Sequence, residues 1–435
     1  MDLYAKRAFL IDTENAFKIS SHIATLESQG HRVVKLNIGE PDFNIPEVVK
    51  EEIKKQLDDH NTHYCDPKGL LTLREAISQQ IYKTRKLSVS PEQIVVFPGA
   101  KPGIGFSEQV YCDPGDEVIY PSPSFPIFES FIRYLGAKPV PAHLSEENDF
   151  KLTAEALSAL ITPKTKMIFL NSPSNPTGNV ANQFELETIA KVILNQCHPN
   201  VRVYSDEIYE RIIFDQQSHY SIASFPGMEK RTIISSGFSK SYAWTGGRIG
   251  YAIFPSIEEA NVVKNLNINY FSCISPYNQE AAKVALTHPD AERSVVNMVQ
   301  TFQTRRDFVY EKLREIPNLR CIKPKGTFYI FPNIQQICEN LGIMAAFQGL
   351  DPIAQSLTSP TSLFQLFALY HHHVAILDRR SFGKVGSENQ HYFRIAFTAN
   401  EAMLAEGISR LSHAFHDTLG FQKFMREQQS LVSSK

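Results

Sequence analysis

The sequence predicts an α/β protein with a mostly parallel seven-stranded sheet in a large domain, and a smaller α+β domain beside it. Three observations predict this. First, seven short apolar runs recur at 94–97 (IVVF), 117–120 (EVIY), 138–144 (KPVPAHL), 166–170 (KMIFL), 201–205 (VRVYS), 232–236 (TIISS) and 249–254 (IGYAIF). Several are continuously apolar, as strands buried on both faces are. Second, stretches such as GLLTLREAISQQIYKTR and QFELETIAKVILNQ carry helical periodicity with a charged face. Strands alternating with helices imply a largely parallel sheet whose ligand groups come from loops at the carboxyl ends of strands. Third, the texture changes after about residue 286. A long charged helical stretch (291–316) leads into the apolar runs LRCI, TFYIF, HVAIL and YFRIAF, then a final helix, EAMLAEGISRLSHAF. We therefore expect a large domain over 46–290 and a small domain from 1–45 and 291–435. The segment 333–360 reads as a lid or an insertion, with ICENLGIMAAF as a short helix and SLTSPTS as loop.

Composition narrows the function. Of 435 residues, 21% are charged and the net charge is -2, so no bulk attraction to nucleic acid or membrane is expected. No apolar run approaches a membrane span, and the N-terminal stretch lacks a secretory h-region. The six cysteines (65, 112, 197, 273, 321 and 338) show neither metal nor redox spacing, which suggests a reduced, cytoplasmic setting. His371, His372 and His373 invite a metal reading. The following VAIL suggests a strand, where neighbouring side chains alternate faces, so no metal site is expected.

The most informative stretch is SSGFSKSYAWTGGRIGY around Lys240. Small residues before and after the lysine leave room for a large group on its nitrogen. Arg248 can clamp a phosphate with its planar fork of donors. A Schiff-base lysine beside a phosphate anchor suits pyridoxal phosphate. Other candidates also fall at strand ends or loops. Gly99, Ala100 and Lys101 would open a helix, with Pro102 tolerated in its first turn, and offer backbone N–H groups to a phosphate. Phe125, after a proline-rich turn, could stack on a planar ring or simply be core. The Asn175 amide could bond a phenolic oxygen. Asp206 could keep a pyridinium nitrogen protonated, or could merely cap a following helix. Tyr209 could reach the neighbouring ring oxygen.

In this order, and with the motifs NSPSNPTG, SDEIY and SKSYAWTGGRIGY, the chain resembles the class I/II, fold-type I pyridoxal-phosphate-dependent aminotransferases, closest to the bacterial aspartate aminotransferase branch. GEPDF and THYCDPKGLLTLREAI support the likeness, which runs from LNIGEPDF to YFRIAFTAN. The resemblance implies that Lys240 forms the Schiff base and shuttles the proton, Asp206 pairs with the ring nitrogen, and Asn175 and Tyr209 bond the ring oxygen. It implies that Phe125 stacks on the ring, and that Arg248 holds the phosphate with the Gly99–Ala100–Lys101 turn and Ser239. Tyr64 would reach the phosphate of a neighbouring subunit's cofactor, making a homodimer with shared sites. Arg394 would fork the substrate α-carboxylate, and Gly39 would let the N-terminal loop approach the substrate. Lys101 would read the distal carboxylate of aspartate or glutamate, with 2-oxoglutarate as acceptor. Ser122-Pro123 and Asn175-Pro176 would be cis.

Three departures stand out. Gly237 replaces a phosphate-binding serine, leaving Ser236 or Ser239 as substitutes. Trp244 stands where a smaller apolar residue is usual. DRRSFG (378–383) replaces a proline- and glycine-containing turn. A β-C–S lyase, or an aromatic- or alanine-type aminotransferase, would use the same scaffold. A ligand-sensing regulator domain fits poorly, because about 35 residues before GEPDF are too few for a winged helix.

Overall fold

The computed structural model describes residues 3–12 and 14–427. Its strands are β1 (Val34–Lys35), β2 (Ile94–Phe97), β3 (Glu117–Ser122), β4 (Lys138–His143), β5 (Thr165–Asn171), β6 (Arg202–Asp206), β7 (Thr232–Gly237), β8 (Gly250–Ile253), β9 (Tyr329–Ile330), β10 (Val374–Ala375), β11 (Leu377–Asp378) and β12 (Phe393–Ala396). The seven expected strands form one sheet, in the order β2-β8-β7-β6-β5-β3-β4. All its pairings are parallel except those of β8, which runs antiparallel to both β2 and β7. β2, β3, β7 and β8 are buried along their whole length. That explains the unbroken apolar run IVVF of β2 and the apolar centres of the others, since helices cover both faces.

Local chemistry sets the helix ends. Gln183–Gln196 starts with a capping box between Asn182 and Glu185. Leu71–Arg85 stops where Lys86 turns left-handed, at φ 57. The long charged helix runs Pro289–Arg314, with its proline in the first turn.

The C-terminal part holds a three-stranded antiparallel sheet, β11-β12-β9. β1 pairs in parallel with β10, tying the N-terminal segment to this part. Helix Asn15–Ser28 adds Ile19, Ile23 and Leu26 to a cluster with Leu369, Ala375 and Leu377.

Several expectations need correction here. LRCI forms no strand; only a single bridge joins Arg320 to Asn333. HVAIL is divided between β10 and β11. His371 and His372 close the helix Pro360–His372, and His373 caps it at φ 52, so the strand begins only at Val374. Another helix, Thr418–Glu427, follows the expected final one. The segment 333–360 is no lid. Its helices Gln335–Asn340, Ile343–Gln348 and Pro352–Leu357 bury Ile337, Cys338, Leu341 and Ile343 in the main C-terminal core. Ser122-Pro123 and Asn175-Pro176 are cis, and so is Ser172-Pro173, which the sequence reading did not single out.

Trp244 shows how a local departure is absorbed. A Cβ placed on Gly247 would lie 2.1 Å from the indole, so the ring occupies the space that a side chain at 247 would need. Gly246 has nothing within 4 Å. Gly247→Ala should therefore cost about 1–3 kcal/mol by overpacking and red-shift the emission of this single tryptophan, whereas Gly246→Ala should leave both unchanged. Denaturant titration followed by fluorescence tests this, and equal behaviour of the two variants would contradict the packing account.

Candidate active site

The sheet brings three separate sequence segments to one point. Gly250, the first residue of β8, is registered opposite Phe97 on one side and Gly237 on the other. A Cβ at Gly250 would sit 2.3 Å from the Ala100 nitrogen, so the turn after β2 lies directly on this glycine. A Cβ at Gly237 would fall 2.9 Å from the Gly250 Cα. In this chain that leaves no room for a serine at 237. Arg248 adopts a left-handed φ of 52 and donates to Thr245 O (2.8 Å) and Pro98 O (3.1 Å). Its guanidinium lies over Gly99, whose φ is +88 and whose hypothetical Cβ would be 2.1 Å from Nη2. Gly99 thus meets two demands, a positive φ and contact with the arginine. The helix Lys101–Tyr111 starts at this cradle, with Ala100 as its N-cap. Its first-turn N–H groups and the guanidinium together suit a phosphate.

Of the two alternative serines, Ser236 turns away and donates to Glu210. Ser239 sits at the start of the short helix Phe238–Ser241, beside Lys240. The Lys240 ammonium donates to Gly39 O at 2.7 Å. The residue keeps some solvent contact, but burial around the ammonium pushes its pKa down to about 8. Glu14 and Glu40 oppose the shift, while Arg394 and Arg248 add to it. A lysine so shifted is neutral often enough near neutrality to act as a nucleophile or base.

Asp206, at the carboxyl end of β6, is buried with one backbone bond from Ile208 N (3.3 Å). Burial pushes its pKa up to about 7. No helix follows it, only a turn, so the helix-cap alternative does not apply. Next to it, Glu207 is held by buried Arg85 (2.7 Å) and by His219 (2.9 Å). The strand end is therefore pinned, while among the described residues no cation pairs with Asp206 itself. Asn175 donates its backbone N–H to Asn171 Oδ1 (3.0 Å) and accepts from Arg394 Nη1 (2.8 Å), leaving its amide nitrogen available. The Tyr209 hydroxyl meets that of Tyr329 at 2.8 Å.

Tyr329 is the residue that sequence reasoning missed. A Cβ on Gly39 would lie 1.9 Å from its hydroxyl, so Tyr329 is why Gly39 must be glycine. It also lies under Arg394, with the guanidinium carbon 4.1 Å from the ring centroid; Phe382 covers the guanidinium from 4.9 Å. Arg394 donates to Asn37 O (2.7 Å), yet its Nε and both polar atoms of the buried Asn37 side chain have no hydrogen-bond partner. Buried donors left unpaired suit an incoming carboxylate. Nothing in the TFYIF run distinguishes Tyr329 from a core aromatic.

Lys101 is a second surprise. Its ammonium lies 5.7 Å from the Phe125 ring centroid and forms an ion pair with Glu14, so it does not simply face solvent. Tyr64 is 88% exposed. The DRRSFG turn is locked from two sides. Buried Arg379 donates to Ser122 Oγ at 2.9 Å, and Arg380 donates to Ser356 O and Thr358 O. Phe382 is thereby carried to Arg394.

Pyridoxal phosphate fits these residues. Asp206 is a buried carboxylate lacking a cation, which a protonated ring nitrogen would supply. Gly99 and Arg248 shape a phosphate cradle that any side chain at 99 would fill. Lys240 has the depressed pKa that imine chemistry needs.

The pH dependence has a definite sign. Between about pH 4, the usual carboxylate range, and the Asp206 pKa near 7, the folded protein holds a proton that the unfolded chain releases. This stability is fully present below about pH 4 and is lost as pH rises through 7. Lys240 acts in a separate window, since its lowered pKa adds stability only as pH climbs above about 8. In cofactor-free protein, Asp206→Asn should therefore gain on the parent by about 2–4 kcal/mol between pH 5 and 7.5. Calorimetry of both proteins across that range checks this, and a constant difference would refute it.

The profile of the family described as aminotransferase class I and II matches residues 31–411. The probable aspartate/prephenate aminotransferase of Aquifex aeolicus is 33% identical over 414 residues, covering 95% of this chain and 98% of its own. The crystal structure of the aspartate aminotransferase from Rhizobium meliloti superimposes with a TM-score of 0.84 at 32% identity, covering 95% of this chain and 99% of that one. The aromatic aminotransferase from Pyrococcus horikoshii OT3 gives 0.79 at 32% identity, covering 92% and 100%. By the family match, these relatives and the shared fold, the chain belongs to the class I and II aminotransferases and is a pyridoxal-phosphate-dependent transaminase.

Proposed function

We propose that the enzyme moves the amino group of an acidic L-amino acid, aspartate or glutamate, to a 2-oxo acid such as 2-oxoglutarate, in a ping-pong cycle. The observation that carries this reading is a pair of cations with separate tasks. Arg394, with its unpaired Nε, is set for the α-carboxylate, and the Lys101 ammonium over Phe125 is set for the distal one. Relatives named aspartate aminotransferase support it.

When bound, the cofactor supplies the carbonyl carbon that carries the amino group and the ring that takes up electrons from the substrate Cα. The chain's residues do the rest. Gly99, Ala100, Lys101, Ser239 and Arg248 hold the phosphate. Asp206 keeps the ring nitrogen protonated. The Asn175 amide nitrogen and the Tyr209 hydroxyl donate to the ring oxygen, and Phe125 packs on the ring face. Lys240 Nζ would carry the proton between the substrate Cα and the cofactor carbon that takes the amino group, in opposite directions in the two half-reactions. Its release from Gly39 O accompanies entry of the substrate beside Gly39. Tyr64, exposed in the single chain, completes the phosphate site of a second subunit in a homodimer. We place the domain division at 46–290 against 1–45 with 291–435, and the enzyme in the cytoplasm. Among the described residues, no helix is long and apolar enough to cross a membrane.

One observation favours a second reading. Glu14 already neutralises Lys101, so an acidic substrate must take the place of its carboxylate, whereas an aromatic or neutral donor need not. Lys101→Gln decides between them. For acidic donors, kcat/KM for aspartate should fall about tenfold to hundredfold, a change of roughly 1–3 kcal/mol, while alanine or phenylalanine is spared. Equal losses for all donors would show that Lys101 does not read the side chain.

The lysine assignment has its own test. Lys240→Ala should abolish turnover with the fold intact, and borohydride reduction of the parent enzyme should place the label on Lys240 alone. Label mapped to another lysine would overturn it. Pyruvate plus ammonia in place of a keto acid without ammonia would point to the lyase alternative.

A further inference from the structure

Far along the chain from the catalytic lysine, two histidines and a carboxylate converge where the helix Pro360–His372 ends against the C-terminal helix Thr418–Glu427. His371 Nε2 lies 3.4 Å and His372 Nε2 lies 3.2 Å from the same atom, Asp417 Oδ2. The three candidate ligand atoms all lie within 4.8 Å of one another. We propose that His371, His372 and Asp417 form a binding site for a divalent transition-metal ion of the zinc type, which clamps the C-terminal helix to the body of the protein.

Four features of the geometry support this. The distances suit a shared ion: zinc bonds nitrogen and carboxylate oxygen at about 2.0–2.2 Å, which makes the edges of its tetrahedron about 3.3 Å. Both nitrogen-to-oxygen separations match such an edge. His372 Nε2 is buried and faces Asp417 Oδ2 at 3.2 Å without a well-aligned hydrogen bond. A buried imidazole nitrogen that faces a carboxylate off the hydrogen-bond direction can share an ion with it.

The surroundings also hold the ligands in place. Asp417 Oδ1 accepts from the Gly420 N–H at 2.8 Å, which turns Oδ2 toward the histidines. Phe367 stacks on His371 with centroids 5.5 Å apart, and meets His372 edge-on at 5.1 Å. Such support around a metal ligand fixes its orientation. Finally, the site is kept clear. A Cβ on Gly420 would lie 2.0 Å from Asp417 Oδ2 and 2.7 Å from His371 Nε2, so only glycine leaves the converging atoms open.

The ligand set defines the ion. Two imidazoles and one carboxylate suit zinc, cobalt, nickel or copper better than the oxygen-loving calcium or magnesium. Three protein ligands leave the fourth position to water. Each imidazole would bind through an unprotonated Nε2 with its proton on Nδ1, and Asp417 through its ionised Oδ2. A second acid-histidine group, Glu207, Glu210 and His219, carries no such proposal, because the Arg85 guanidinium already occupies it.

The test uses the cofactor-loaded enzyme, stripped with chelator and titrated calorimetrically with zinc alone. We expect one equivalent per chain, a raised melting temperature, and a visible d–d spectrum of low symmetry when cobalt replaces zinc. Asp417→Asn, which keeps an oxygen for the Gly420 N–H, and His372→Gln should each weaken zinc binding at least tenfold. Both should leave transaminase turnover without added metal unchanged. If one variant fails to fold, the other and His371→Gln decide. Absence of binding to the parent, or equal binding by parent and variants, would overturn the proposal.

Discussion

The site depends on one close backbone contact, that of Gly250 with its neighbours. β8 is wedged antiparallel between β2 and β7, and its first residue is registered against the ends of both. The glycine-rich turn at 99–101, the lysine loop after Gly237 and Arg248 can share one location only because no side chain stands at 250. The glycines at 99 and 237 follow from the same crowding, one under the Arg248 guanidinium and the other against the Gly250 Cα. A phosphate anchored by backbone N–H groups needs such an approach, because a Cβ would hold the chain away.

Around this contact the protein holds buried charges that it does not itself fully satisfy. Among the described residues no cation pairs with Asp206, the Lys240 ammonium meets a carbonyl oxygen and the Phe328 ring but no carboxylate within ion-pair distance, and Arg394 has an idle Nε. Burial raises the pKa of the first and lowers that of the second. Unpaired buried charge lowers the stability of the empty protein and is offset when the missing partners bind. The neighbouring Arg85–Glu207–His219 group shows the contrast. There every main charge is matched, and its task is to hold the end of β6 steady.

Pieces from the C-terminal part and the N-terminal segment complete the site. Arg394 on β12, Tyr329 on β9 and Phe382 from the DRRSFG turn form one stack, and Gly39 fits against the Tyr329 hydroxyl. Arg379 binds that turn to Ser122 at the end of β3. The turn thus joins both parts of the molecule with a buried guanidinium. Glu14 enters from the N-terminal segment and reaches Lys101.

Sequence alone determined the seven strands of the large sheet, the lysine, the carboxylate at the end of β6 and the glycine-rich turns. Each of these is a local signal: an unbroken apolar run, a charge at a strand end, a glycine where the chain must bend. Only the tertiary structure decided the antiparallel course of β8, the place of Tyr329 beneath Arg394, the pairing of Lys101 with Glu14, and the helical ending that turns His371 and His372 toward Asp417. These are contacts between residues distant in the chain. Tyr329 looks like any core aromatic until Gly39, 290 positions earlier, lies against it. The histidine run looked like the start of a strand because VAIL follows it, but the left-handed cap at His373 leaves two of the three on a helix. Periodicity and composition report which face of an element is buried; which residue meets which across the fold is decided by packing.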